Sequence, residues 1–155
     1  MESTVIKISE YDVLISSCDL EKIKEHKWYK TTSAKGKIYF AYCKSDKERI
    51  KLHRFIMDCP AGKCVDHING NTLDNRRENL RICTQAENNF NLPKPKTNTS
   101  GYKGVYWNKA VRKWQALIQV NKKKIRLGSF ETPEQAHKAY CEAAKKYHGD
   151  YRRVV

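Results

Sequence analysis

Val65-Asp66-His67-Ile68-Asn69-Gly70-Asn71-Thr72-Leu73-Asp74-Asn75-Arg76-Arg77-Glu78-Asn79-Leu80-Arg81-Ile82 is the stretch that decides the fold. It runs from an apolar residue and a polar pair, through turn formers, to a second polar cluster and an apolar strand. Asn and Asp side chains bond backbone two residues on, and Gly accepts a positive φ. Asn69-Gly70-Asn71 and Asp74-Asn75 therefore predict a long polar loop between two short strands. Thr84-Gln85-Ala86-Glu87 follows with the Thr-x-x-Glu form of a capping box, in which the two side chains satisfy orphan backbone donors reciprocally. It predicts a helix with Asn88 in its first turn. Strand, loop, strand, helix in this order brings Asp66 and His67, at the end of the first strand, against the helix face that bears Asn88.

These residue types suit phosphodiester cleavage. A histidine with an ordinary pKa near 6.5 accepts a proton from water at neutral pH, which is the work of a general base at His67. Asp66 and Asn88 offer hard oxygen donors, suited to Mg²⁺ or Mn²⁺ and not to zinc. A metal held there neutralises the phosphate and stabilises the departing 3′ oxygen. Asn79 is placed to bond loop backbone and so to orient His67. Taken singly, an Asp-His pair is a capped strand end, and each Asn is a cap. Their order and spacing together carry the catalytic reading.

Residues 53–91 resemble the HNH nuclease family, in the Asn-ending variant of phage and intron-encoded homing endonucleases. The string DHINGN-x-x-DNR-x-x-NLR carries the resemblance, with Asn79 twelve residues after His67 and Asn88 nine further. It implies His67 as general base, Asp66 and Asn88 as metal ligands, and Asn79 as organiser of the loop. Arg81 is the nearest cation in sequence for holding the phosphate.

Outward from this centre, the composition points the same way. Thirty-one Lys and Arg against 17 Asp and Glu give the 155-residue chain a net charge of +14, which favours a polyanionic partner. The excess is uneven: residues 1–92 hold 16 basic and 13 acidic side chains, a balance of +3, and residues 93–155 hold 15 and 4, a balance of +11. A surface that is merely soluble needs no such asymmetry. No apolar run reaches the length of a membrane helix and no basic flank precedes an apolar start, so cytoplasmic residence is expected, in the host cell if the gene is a phage's. Of Cys18, Cys43, Cys59, Cys64, Cys83 and Cys141, only Cys59 and Cys64 lie close, which fits reduced thiols better than a zinc site needing two close pairs.

Before the nuclease stretch, residues 1–52 read as a β-rich scaffold. Val5 to Ile8 and Val13 to Ile15 flank a polar turn, Asp19 caps a short helix to Lys27, and further strands lie around Lys35-Gly36-Lys37. His53 reads as structural, with phosphate contact by Arg54 the alternative, and His26, His137 and His148 as surface or helix-packing residues. Residues 53–92 form the nuclease module. Residues 93–100, with Pro93, Pro95 and two lysines, form an extended linker.

Residues 101–155 predict three strands and one helix. Thr132-Pro133-Glu134-Gln135 is a helix start, Ala136, Ala139, Tyr140, Ala143, Ala144 and Tyr147 share a stripe, and Gly149 is the stop. This half resembles the plant Apetala/ethylene-response-factor DNA-binding domain through Gly101-Tyr102-Lys103-Gly104-Val105-Tyr106-Trp107, Lys113-Trp114-Gln115-Ala116, Leu127-Gly128-Ser129-Phe130 and the alanine-rich helix. The resemblance implies a three-stranded sheet laid in the major groove. It places Lys103, Tyr106, Trp107, Arg112, Trp114, Gln115 and Arg126 against DNA, where Arg and Gln read base edges. Plant members carry more arginines in the first strand, where this chain has Tyr106 and Asn108.

The expectation is thus an α+β protein: a β-rich N-terminal segment, a ββα-metal module, a linker, then a three-stranded antiparallel sheet packed on one helix. It is expected to cut double-stranded DNA with Mg²⁺ or Mn²⁺, as a site-guided nickase or homing-type nuclease, monomeric or homodimeric. The alternative is a DNA-binding regulator with an inactive HNH remnant.

Overall fold

The computed structural model describes residues 2–34, 36–45, 48–120 and 123–153. The fold is mixed α and β, mostly strands with few helices. The chain divides into two compact units, Met1–Asn88 and Asn89–Val155. No described helix is long and apolar enough to cross a membrane.

The first unit opens with the expected hairpin, β1 (Ser3–Ile8) and β2 (Tyr11–Ser16), turning at Ser9 with φ 54°. The helix expected from Asp19 to Lys27 is shorter, α1 (Leu20–Lys24). Asp19 stands at its N-cap position without a capping bond. Its carboxylate instead takes Arg77, with Nε 2.9 Å and Nη2 2.7 Å away. A guanidinium fork outcompetes a neutral N–H for a buried carboxylate, so a reading from local sequence mistakes an ion pair for a cap.

Strands β3 (Tyr29–Thr32), β4 (Ile38–Ser45) and β5 (Glu48–Lys51) form an antiparallel sheet, and α2 (Leu52–Ile56) follows directly. Of the turn expected at Lys35-Gly36-Lys37, Lys35 lies outside the described residues. Val13, Ile15, Ile23, Phe40, Leu52, Ile56, Val65 and Leu80 share one core. Each such side chain contributes about 1.5–3 kcal/mol on burial.

The decisive stretch folds as β6 (Cys64–His67), the two-residue strand β7 (Asp74–Asn75), a 3-10 turn at Arg77–Asn79, and β8 (Leu80–Cys83). α3 (Gln85–Phe90) follows. Strands β6 and β8 pair antiparallel, while β7 runs parallel to β2 and joins the N-terminal hairpin. The expected capping box forms at Thr84, whose amide lies 2.7 Å from Glu87 Oε2.

In the second unit, β9 (Val105–Asn108), β10 (Lys113–Val120) and β11 (Lys123–Phe130) make an antiparallel sheet with β10 central. Asn121 and Lys122, half of the expected basic turn, lie outside the described residues. α4 (Pro133–His148) packs on the sheet through Ala136, Tyr140, Ala143 and Ala144, and its Thr132–Gln135 capping box is complete. The stripe ends differently from expectation, with His148 buried and Tyr147 exposed. Segment 93–100 is tied down by Asn98 and Ser100, whose side chains bond the Tyr102 and Val105 carbonyls.

Candidate active site and nucleic-acid interface

The antiparallel register sets Asp66 opposite Arg81 and His67 opposite Leu80. Arg81 donates to Asp66 Oδ2 from Nε at 3.0 Å and Nη2 at 2.6 Å. Both side chains are largely buried, so the pair is a desolvated one. Sequence order alone assigns Arg81 to the phosphate; in the folded chain its guanidinium is engaged with Asp66.

Asn79 ties the loop together. Its Oδ1 accepts from the Asn69 amide at 3.0 Å, and its Nδ2 donates to the Asp74 carbonyl at 2.7 Å and to Asn69 Oδ1 at 3.1 Å. Its own carbonyl accepts from Ile68 N at 2.8 Å. The loop therefore closes on one amide directly behind His67. Arg76 bonds the Asp74 carboxylate through Nε and Nη2 and holds that carboxyl below its usual range.

His67 is 5% exposed, and its Nε2 lies 3.3 Å from Asn75 Oδ1. Burial lowers its pKa, with opposing contributions from Asn75 and Asp66, which favours the neutral imidazole. His53 packs edge-on with ring centroids 5.1 Å apart, and Tyr39 lies 6.3 Å from the His67 ring. Burial pushes His53 down to about 3. Asn88 is half-buried, one residue beyond the capping box, with its amide bonded to the Thr84 carbonyl at 3.0 Å.

In the second unit the register sorts the residues expected to face DNA onto two faces. Trp107 pairs with Trp114, rings edge to face at 5.2 Å, and Trp114 packs against the core beneath α4. Successive side chains on a strand point to opposite faces, so Tyr106 and Gln115 lie on the other side. Gln115 is 1% exposed: Oε1 accepts from Tyr106 OH at 2.7 Å and Asn108 Nδ2 at 3.1 Å, and Nε2 donates to Ser129 Oγ at 3.0 Å. Arg126 joins this network through Ser129 Oγ at 2.9 Å and is exposed. Arg112 is exposed in the β9–β10 turn at φ 49°. Lys103 turns inward instead: its Nζ donates to the Phe90 and Leu92 carbonyls at 2.7 Å each, and burial lowers its pKa to about 8.

Comparison with known proteins agrees with both halves. The HNH endonuclease family profile matches residues 58–90, and the AP2 domain profile matches residues 100–150. Protein 3.8 of Escherichia phage T7 is 34% identical over 94 residues, covering 61% of this chain and 77% of that protein. The chain belongs to the HNH endonuclease family. L560 of Acanthamoeba polyphaga mimivirus, named as an uncharacterized HNH endonuclease, is 30% identical over 135 residues, 83% of this chain and 66% of its own length. YosQ, a SPbeta prophage-derived protein of Bacillus subtilis (strain 168) named for an HNH homing endonuclease, is 34% identical over 93 residues, with 56% and 51% covered. No solved structure matches.

HNH nucleases use a divalent metal, and the donors of this member suit a hard one. Among the described residues no group of three His, Cys, Asp or Glu side chains is gathered. An ion such as Mg²⁺ is bound through one or two carboxylates, waters and substrate phosphate. The carboxylate of Asp66 and the amide of Asn88 fit this role, with Arg81 as the competing cation on Asp66.

Sequence reasoning missed three parts of this HNH site. Tyr39 and His53 beside His67, and Asn75 bonded to it, come from segments whose meeting no local pattern encodes. Asn75 reads in sequence only as a turn former.

Proposed function

We propose that the protein is a divalent-metal-dependent endonuclease that hydrolyses phosphodiester bonds in double-stranded DNA, cutting with the first unit and guided by the AP2 domain. The observation that carries the reading is a buried His67, its pKa lowered by burial, one residue from a desolvated carboxylate and on a loop closed by Asn79. His67 Nε2 lies 3.3 Å from Asn75 Oδ1, which helps to hold the ring in place. The imidazole of His67 takes a proton from water as the resulting hydroxide attacks phosphorus and the 3′ oxygen departs. Asp66 and Asn88 would hold a divalent ion, which would supply charge neutralisation at the phosphate and the leaving oxygen. Asn79 keeps the loop, and so His67, in place through the reaction. Arg112, Arg126 and the sheet's basic residues hold the duplex, and a single site per chain makes a monomer a nickase.

The deciding experiment is relaxation of supercoiled plasmid with Mg²⁺ by wild type and by His67→Ala. Nicking by wild type and a loss of about 10²–10⁴-fold in the variant are expected. Full activity in His67→Ala removes His67 as the base. The Arg81–Asp66 pair favours one competitor, a DNA-binding regulator with a silent site, because the carboxylate is already neutralised. DNA binding with no nicking, on any DNA including the source genome, would establish that competitor.

A further inference from the structure

We infer that Asn108 reads the major-groove edge of an adenine, and that Gln115 is the positioning residue that holds its amide for the task. The inference rests on the reading that the AP2 domain seats duplex DNA on its sheet. Gln115 is buried and does not reach a base edge itself, yet its side chain bonds three others. Each orientation fixes the next. The Ala110 amide lies 3.0 Å from Asn108 Oδ1, and a backbone N–H can only donate. Nδ2 is therefore the atom that faces Gln115, and it donates to Oε1 at 3.1 Å. Tyr106 OH donates to the same oxygen at 2.7 Å, and Gln115 Nε2 donates to Ser129 Oγ at 3.0 Å. That hydroxyl oxygen also accepts from Arg126 Nη2 at 2.9 Å. Arg126 and Ser129 are three residues apart and share a face because a β-bulge shifts the register between them.

Asn108 is half-buried beside the exposed Tyr106 on the face away from α4, and the exposed Lys124 and Arg126 lie on that same face. The cations suit phosphates, and the amide suits a base edge. One bond to each of its atoms leaves Oδ1 a second lone pair and Nδ2 a second hydrogen. A donor beside an acceptor matches adenine, whose N7 accepts and whose N6 amino group donates. Guanine presents two acceptors, O6 and N7, and would set one of them against Oδ1. The two bonds fix the amide before DNA arrives, so binding does not have to order it.

The test starts from duplexes that the full-length protein selects out of a randomised pool, with a chelator present so that DNA is bound and not cut. At one selected A·T pair, Asn108→Ala is expected to lose a preference over G·C of about 5- to 150-fold. Replacing that adenine with 7-deazaadenine, which lacks the N7 acceptor, is expected to weaken wild type and leave Asn108→Ala unchanged. Gln115→Met, which fills similar space without the hydrogen bonds, is expected to lose the same preference and keep the wild-type salt slope. A merely structural part would weaken every sequence alike. Asn108→Ala combined with Gln115→Met is expected to discriminate no worse than Asn108→Ala alone. Loss of preference at a G·C pair instead, or wild-type affinity for the 7-deazaadenine duplex, would overturn the adenine assignment. Full preference in a folded Gln115→Met overturns the positioning role. If that variant does not fold, Gln115→Glu keeps the acceptor and is expected to keep the preference, and its loss in that folded variant overturns the role. A wild type that binds duplex DNA but selects no base overturns the inference and leaves the DNA-guided reading standing. A wild type that binds no duplex removes both.

Discussion

Arg81 and Asp66 face one another across β6 and β8, and the pair makes two opposed demands on the site. A buried carboxylate needs a cation, yet a cation already in place competes with a metal for the same oxygen. Arg81→Gln removes the guanidinium from a buried carboxylate, which costs about 3 kcal/mol by analogy with other buried pairs. The same change clears the carboxylate for Mg²⁺. The variant is therefore expected to melt lower than wild type without metal and to gain more in Tm on Mg²⁺ addition. Equal Mg²⁺ shifts in calorimetry of the two proteins would remove Asp66 from the ligand set. His53 makes a different demand. Its pKa falls to about 3 from an ordinary 6.5, chiefly through burial, so the unfolded chain binds the proton that the folded chain refuses. Folding stability then rises with pH between about 3 and 6.5 and is lost on acidification, with a slope of up to about 1.4 kcal/mol per pH unit from this group. His67, lowered in the same direction, adds to it. Urea unfolding at pH 4, 5 and 7 should show the slope in wild type and a shallower one in His53→Gln.

At the level of elements, what local chemistry dictates was legible, and what depends on distant partners was not. The two capping boxes follow from four residues each, and both form at Thr84 and Thr132. The β1–β2 hairpin and the alanine-rich α4 follow from period and turn residues. Strand β7 has only two residues, far too few for an alternation, and exists because β2 offers its edge. Helix α2 is five residues long, below the window in which a helical stripe can be read. The same limit applies within the site: Asp66 and His67 are neighbours in sequence, but His53, Tyr39 and Asn75 reach His67 only through the fold. Gly104 shows one element constraining another. Its φ is +75° and a Cβ there would overlap the Tyr140 ring, so α4 sits as close to the sheet as it does because this residue has no side chain. The capping residue of the same helix gives the cleaner test, since it is exposed. Thr132→Ala should cost about 1 kcal/mol in equilibrium unfolding of the full chain. A neutral result would mean that packing on the sheet, not the cap, sets where α4 begins.

Across the whole molecule, charge is divided as unevenly as chemistry. Residues 93–155 carry 15 basic and 4 acidic side chains, and the nuclease stretch lies in the nearly balanced remainder. Sequence-independent affinity for DNA comes from phosphates neutralised and counterions released, so the second unit should supply most of the binding. The register narrows where. Trp107 and Trp114 lie on the face toward α4, whereas Arg126 is exposed on the face with Tyr106 and Gln115. Lys124 is exposed two pairs along, opposite Gln119 and on the same face. Every cationic side chain withdrawn from a phosphate should reduce the slope of log K against log salt by about 0.9. The double variant Lys124→Gln, Arg126→Gln is therefore expected to bind duplex DNA more weakly, with a slope shallower by about 2 if both groups neutralise phosphates. Its plasmid nicking at saturating DNA should keep the wild-type kcat, because neither residue belongs to the hydrolytic loop. Lys103 serves as the contrast. Its ammonium already bonds the Phe90 and Leu92 carbonyls, so Lys103→Met should lower stability and leave the salt slope unchanged. A reversal of these two results would place the phosphate-tracking surface around Lys103 and not on the Arg126 face.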